Sequence, residues 1–423
     1  MTESAVVNHR HLYRLPWTLP DNAICWLEPT SACNLACDGC YRENLAKSHK
    51  SLEVVTQEVE TFRHLRNSDA ISIAGGDPLM HPKIVDIVKM IADMGVKPVI
   101  NTNGGMLTKE LLRELKCAGA VGLTLHIDSR QGRPRWKDKN EVELNELRLQ
   151  YAEMLAEVGG LSCAFNSTVY EDTVQYTPDL VAWAAKHIDI VQAMVFILFR
   201  AAVPQLPFDW YAGGKKIDMG VLAYAETKER KIDLKSTDVV AEVRKRFPDF
   251  TPCAYLNGTE KPNSFKWLLT GRIGSKEKIY GYVGPKFMET IQTVHHLLYG
   301  RYLAYAKPRL TDMGRTMLLL SPIDSGVRIV ASRYLTSILG NPLRLFKGLH
   351  YQSIMIIQPV DFLENGLQNM CDGCPDMTLW NGELVWSCRM EELKHFGCWV
   401  RSVPSNEIPV QENLQDSKYF GAQ

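Results

Sequence analysis

Between residues 23 and 200, short β-rich runs alternate with stretches whose apolar residues recur at three- and four-residue spacing. This is the pattern of repeated strand–helix units around a parallel sheet. Six runs read as strands: AICWLEPT (23–30), AISIAGG (70–76), KPVINTNG (97–104), VGLTLHID (121–128), LSCAFNSTV (161–169) and DIVQAMVFIL (189–198). Each of the first five is followed by a helical candidate, among them KIVDIVKMIADMG and ELNELRLQYAEMLAEVG. Six parallel strands in so short a span fit an open barrel better than a closed eightfold one, which takes about 250 residues. The expected fold class is therefore α/β: a partial (β/α)6 TIM-type barrel with a C-terminal cysteine-rich extension.

In such barrels the active residues gather where the strands end. Cys33, Cys37 and Cys40 follow the first run, Gly75 to Pro78 end the second, and Asn101 to Asn103 end the third, so three polar clusters converge on one rim. The pattern divides the rest of the chain into a segment 1–22 before the barrel (23–200), an insertion 201–365 expected to contact the substrate, a cysteine-bearing segment 366–404 expected to bind a second metal centre, and a polar, frayed tail 405–423. From 201 the periodicity weakens, and Pro204, Pro207, Gly213 and Gly214 mark a linker-like break. Thr293 to Tyr351 is rich in Leu, Ile and Tyr interleaved with Arg and Lys. It reads either as the core helices of an added subdomain or as an amphipathic surface or tunnel for an apolar substrate.

Composition narrows the picture. With 423 residues, 45% of them hydrophobic, the chain can bury a large core, and 48 basic against 48 acidic residues give no sign of a nucleic-acid partner. The first residues carry no basic stretch leading into an apolar run, and no segment reaches 18 uninterrupted apolar residues, so a cytoplasmic protein is expected, with peripheral membrane contact as a further expectation. Seven of the eleven cysteines fall into two tight groups, which favours metal ligation over disulfides.

The first group, EPTSACNLACDGCYREN, places three thiols at C-x3-C-x2-C spacing. Three thiolates hold three irons of a cubane and leave the fourth open to a small molecule, whereas zinc normally takes four protein ligands. Set just after the first strand, CNLACDGCY resembles the signature of the radical S-adenosylmethionine (SAM) superfamily. The resemblance implies that Cys33, Cys37 and Cys40 ligate a [4Fe–4S] cluster, that SAM chelates its open iron, and that Tyr41 lies near the adenine. It also implies a small reductant protein, flavodoxin or ferredoxin. IAGGDPLMHP is similar to the Gly-Gly-Glu-Pro motif of that superfamily, with Asp77 in place of Glu; Gly75 and Gly76 would let the backbone approach the ligand. Asn101, Thr102, Asn103, His126, Asp128, Asn166 and Thr168 end apolar strands. They read as contacts to methionine or ribose, Asp128 and Asn166 foremost, or as a satisfied strand-end network.

The second group, CDGCPDMTLWNGELVWSCRMEELKHFGC, has Cys371 and Cys374 at C-x2-C, a hairpin-like turn at Asn381-Gly382, then Cys388 and Cys398. A structural zinc is one reading. The other is that the segment resembles the shortened auxiliary extension of the superfamily (twitch/SPASM-like), which holds a second [4Fe–4S] cluster. Cys253 could complete or replace a ligand, whereas Cys25, Cys117 and Cys163 read as small core residues. The layout beyond the barrel, including KHIDIVQAMVF, TPCAYLNG and IMIIQPVDFLENGLQNMCDGC, looks like that of tetraether-lipid synthases and related proteins. The activity this implies is SAM cleavage and hydrogen abstraction from a lipid-like or other hydrophobic substrate. Modification of a peptide side chain or radical dehydrogenation is the alternative, and a non-catalytic iron–sulfur or zinc protein is the reading from another class.

Overall fold

The computed structural model describes residues 6–200, 208–225 and 233–405. The six expected strands are present as β2 (Ile24–Thr30), β3 (Ala70–Gly75), β4 (Lys97–Thr102), β5 (Gly122–His126), β6 (Ser162–Val169) and β7 (Ala193–Leu198), each parallel to the next. Between them run α1 (Leu52–Leu65), α2 (Ile84–Asp93), α3 (Lys109–Cys117), α4 (Asn145–Val158) and α5 (Thr177–Lys186). Ser51 caps α1 by accepting from the amide of Val54, and Thr108 caps α3 through Leu111. Val55, Val59 and Phe62 recur on one face of α1, as do Ile84, Ile87, Val88 and Ile91 on α2.

The sheet does not stop at residue 200. Downstream of a sixth long helix, α6 (Ser236–Arg246), the region read as an insertion adds β8 (Ala254–Leu256), β9 (Trp267–Gly274), β10 (Ile279–Tyr282) and β11 (His350–Ile357) to the same sheet. β11 pairs in parallel with β7, β9 antiparallel with β11, and β1 (Tyr13–Arg14) closes the order β1-β8-β9-β11-β7-β6-β5-β4-β3-β2, with β10 beside β9. The edge strands β1 and β2 are not paired, so the barrel is open. Gly213 and Gly214 prove to be a hairpin turn between strands 208–212 and 215–216, both with positive φ, rather than a linker. Pro204, Pro207 and almost all of the tail lie outside the described residues.

Alternate residues of each strand face opposite ways. Ile71, Ile73, Ile100, Leu123, Leu125, Phe165, Phe196, Ile354 and Ile356 are buried in one core with the apolar faces of the surrounding helices. The other set therefore faces the barrel interior. At the N-terminal end of the barrel, residues 300–306 cross beneath β3 and β4. Asp69 accepts from the amide of Ala304 (3.0 Å), Lys97 donates to the carbonyl of Tyr305 (3.2 Å), and the Tyr305 hydroxyl reaches Ser72 (3.4 Å). The 293–351 region thus lies at the end opposite the cysteine loop, with Tyr305 as its plug into the barrel. Helices α7 (Pro285–Tyr299) and α8 (Ser325–Gly340) carry it, α8 packing over β10.

Candidate active site

The loop after β2 is held from several sides. Asn44 staples it, accepting from the amide of Cys33 (3.0 Å) and donating to its carbonyl (2.9 Å). The amide of Asp38 donates to the carbonyl of Arg130 (2.9 Å), and the Tyr170 hydroxyl donates to the carbonyl of Asp38 (2.7 Å). Tyr170 stacks on Phe199, whose ring lies 2.5 Å from where a β-carbon on Gly39 would sit. Gly39, at φ 69°, is therefore the residue that lets the chain turn between Cys37 and Cys40.

The three thiols share one electrostatic environment. Burial pushes all three above the usual thiol range; for Cys37 the charges of Asp128, Cys40 and Cys33 add to the effect. The side-chain amide of Asn103 donates to Cys33 Sγ (3.6 Å) and to Asn34 (2.7 Å).

The two glycines approach the chain itself, not open space. A β-carbon on Gly75 would meet the Thr30 carbonyl oxygen at 2.2 Å, and one on Gly76 the Ala32 oxygen at 2.3 Å. The amides of Gly76 and Asp77 donate to those same two carbonyls, at 2.9 and 2.7 Å. The glycines thus seat the start of the cysteine loop. Asp77 is likewise consumed internally, its carboxylate accepting from the Thr102 hydroxyl (2.8 Å) and from the amides of Asn103 (2.8 Å) and Leu79 (2.9 Å). The shorter side chain fits this lock between β3 and β4.

Asp128 also faces inward to the protein. Burial pushes it up, but His126 (3.0 Å) and the amides of Arg130 and Thr168 outweigh this and hold it below the usual carboxylate range. His126 bonds Thr168 as well (3.0 Å). In contrast, the Asn101 amide nitrogen is buried with no hydrogen-bond partner, and among the described residues the half-buried Asn166 amide makes no side-chain hydrogen bond. Both lie on the interior face, in the register set through Thr124 and His126 of β5.

Tyr41 is held by the C-terminal part of the chain. It packs against a second apolar cluster containing Phe208, Trp210 and Val400, with its hydroxyl bonded to Ser387. Next to it, Arg42 is buried and forks onto Glu28 (2.7 and 2.5 Å), donates to the carbonyl and hydroxyl of Ser387 (2.6 and 3.0 Å), and lies 3.4 Å from Glu391. The cysteine loop is therefore joined to the C-terminal segment. Sequence reading missed this residue, along with Arg133, which donates to the carbonyls of Asn103 and His126 (2.6 Å each).

In that segment, β12 (Met377–Trp380) and β13 (Glu383–Trp386) form the expected hairpin, with Asn381 and Gly382 both at positive φ. It packs against β2. Cys371 and Cys374 are buried at its base, and the Cys374 thiol is pushed well up by its bond to Cys371, by burial, and by Cys388 nearby. The carbonyls of Cys374 and Pro375 accept from the buried Arg66 (2.9 and 3.2 Å). Cys398 lies apart in the second apolar cluster, beside the turn at Gly213. Cys253 is a core residue bonded to the Leu269 carbonyl; Cys25 and Cys163 are also core, but Cys117 is exposed at the end of α3. Buried Asp376 beside this hairpin is pushed up to about 7 by desolvation.

The family model of the radical SAM superfamily matches residues 27–184, the span that contains this loop and the first five parallel strands. These residues are a radical SAM domain. The chain is 26% identical over 181 residues to the AdoMet-dependent heme synthase of Oleidesulfovibrio alaskensis, a match covering 41% of this chain and 46% of that one. It is 34% identical over 102 residues to the GTP 3′,8-cyclase of Chlorobaculum tepidum, covering 24% and 31%. The chain spans less than half the length of these curated relatives. Among solved structures, Streptococcus suis SuiB aligns with a TM-score of 0.39 at 14% identity, covering 58% of this chain and 49% of that one. The match places the likeness to SAM-using radical enzymes in residues 27–184. Among the described residues no helix is long and apolar enough to cross a membrane.

Proposed function

We propose that this radical SAM enzyme modifies a lipid-like, hydrophobic substrate, with Cys33, Cys37 and Cys40 holding the SAM-binding cluster. The three thiols fit that group: burial and mutual repulsion disfavour their thiolates unless a cationic centre compensates, as coordinated iron does. When bound, the cluster supplies the electron that splits SAM into methionine and a 5′-deoxyadenosyl radical able to take hydrogen from an unactivated C–H bond.

The chain's own residues divide the remaining work. Asn103 orients Cys33, and the Gly75–Asp77 segment fixes where the loop begins. Asn101 and Asn166 offer interior amides that make no side-chain hydrogen bond among the described residues, and so are the donors for a polar ligand on that side. Asp128 and Asp77 act one step back, by positioning Arg130, Thr102 and Asn103.

The observation that carries the substrate class is the two-sided interior wall. Its β4–β6 side presents Asn101, His126, Asn166 and Thr168, whereas its β7–β11–β9 side presents Ala193, Ile197, Met355, Ile357 and Leu269, all half-buried and hence accessible from the interior. An apolar wall left partly exposed beside a polar one suits a ligand with a hydrocarbon body.

Cys371, Cys374 and Cys388 read best as ligands of an auxiliary [4Fe–4S] cluster, with Cys398 the outlying fourth. What supports an iron–sulfur reading is the burial of Cys371 and Cys374 at the base of the hairpin, with Cys371 and Cys388 both raising the Cys374 thiol.

The substrate class is tested by isotope transfer. The reduced, reconstituted enzyme is incubated with SAM and either detergent-dispersed lipids bearing perdeuterated acyl chains or a deuterated peptide pool. Deuterium entering 5′-deoxyadenosine from the lipids is the expected result; transfer from the peptides alone would replace this reading with peptide modification.

A further inference from the structure

Among the described residues, fourteen of the twenty-one exposed large apolar side chains fall between Val294 and Phe346. Interior packing does not account for them. α8 buries Val327, Val330, Tyr334 and Ser337 on one face and turns Ile329, Leu335 and Leu339 outward on the opposite arc. The turns 318–320 and 342–346 pack beside it and extend the same surface with Leu319, Leu343 and Phe346; Leu339 and Phe346 are 84% and 83% exposed. Contiguous apolar surface of this kind marks an interaction site.

The charge along this segment is mainly basic, although Arg333 and Lys347 pair with Asp249 and Glu277 from outside it. From 294 to 347 the chain carries eight Lys or Arg against two acids. Neither acid is available: Asp324 is buried, capping α8 and bonding the amides of Gly284 and Phe287, and Asp312 pairs with His350. Arg315 and Arg328 make no salt bridge to a carboxylate among the described residues and lie along backbone carbonyls of the same surface; Arg344 bonds the Ser337 hydroxyl, with Glu277 as its electrostatic neighbour.

We infer that this face, centred on α8 and the two flanking turns, docks the enzyme on an anionic membrane, its leucines and Phe346 entering the acyl boundary and its arginines meeting lipid phosphates. A two-fold contact between copies would set this cationic face against itself, which the charge disfavours. The inference goes beyond the hydrophobic-substrate reading, because the face belongs to the region at the barrel end opposite the cysteine loop. It stands on the surface alone, so vesicle binding can fail while turnover of detergent-dispersed lipid persists.

The test is vesicle flotation of the intact, cluster-loaded protein on phosphatidylcholine alone and on phosphatidylcholine with phosphatidylglycerol at three to one. Binding to the anionic vesicles should be at least about tenfold tighter and should weaken as salt rises. The pair Leu339→Ser with Phe346→Ser, and separately Arg315→Gln with Arg328→Gln, should each lower it about tenfold or more while leaving SAM cleavage unchanged. Absence of binding, or equal and salt-independent binding to both vesicles, would overturn the proposal. So would a concentration-dependent dimer abolished by the same serine substitutions without any vesicle binding, which would reassign the face to self-association.

Discussion

At Gly76 the missing β-carbon matters because its neighbour would be backbone. The Ala32 carbonyl oxygen, 2.3 Å away, belongs to the residue before Cys33 and cannot swing aside as a flexible side chain could. Gly76→Ala is expected to cost about 1–3 kcal/mol and to lower the iron bound at the first site, because relief of the clash displaces the cysteine loop. Thermal melting and iron quantification on the same sample check this; an alanine variant with full iron and an unchanged melting temperature would contradict it. The sequence showed that glycines stand here but not what they approach, since Thr30 and Ala32 lie more than forty positions away. Asp77 was legible as a carboxylate at a strand end. Its use as an internal lock was not, because Thr102 and Asn103 arrive only when β3 and β4 pair.

Between elements, Arg42 is the principal tie. It links β2, through Glu28, to the turn at Ser387 and to Glu391 at the start of α9 (Met390–Phe396), partners as much as 349 positions apart. In sequence it belongs to a charged run, YREN, that reads as a solvated surface. Its burial follows from the C-terminal segment folding back over the loop. Arg42→Met should cost about 3–5 kcal/mol by leaving buried carboxylates uncompensated. It should also loosen the C-terminal segment, which limited proteolysis would detect as new cleavage near the hairpin. Burial pushes Glu28 up, but Arg42 and Ser387 outweigh it and hold Glu28 below the usual carboxylate range. The stability this pair contributes is therefore present above the ordinary glutamate value and lost as pH falls through the depressed one. Acid unfolding of the native protein should be shallower in the Arg42 variant; equal pH dependence would remove the ion pair from the account. β11 was illegible for a related reason. Its alternation of buried and half-buried residues comes from facing the barrel interior, and a long helical segment separates it from β9 in the chain.

Over the whole molecule, the parallel strands bring the cysteine loop and the polar side of the interior wall to one end of the barrel, and the 300–306 crossing with Tyr305 closes the other. The fold class and the six first strands were legible because buried strands and amphipathic helices have distinct periods. The continuation of the sheet through β8–β11 was not, because those strands are dispersed among helices and turns. The central claim is that Cys33, Cys37 and Cys40 hold a SAM-responsive cluster beside a separate second site. The most direct measurement is EPR of the dithionite-reduced, anaerobically reconstituted protein, with and without SAM, alongside iron and sulfide analysis of the native chain and of a triple Cys33→Ala, Cys37→Ala, Cys40→Ala variant. The account predicts about eight irons and a signal that SAM perturbs in the native protein, falling to about four irons with no SAM-sensitive component in the variant. A triple variant that still gives a SAM-perturbed signal, or still forms 5′-deoxyadenosine, would contradict it.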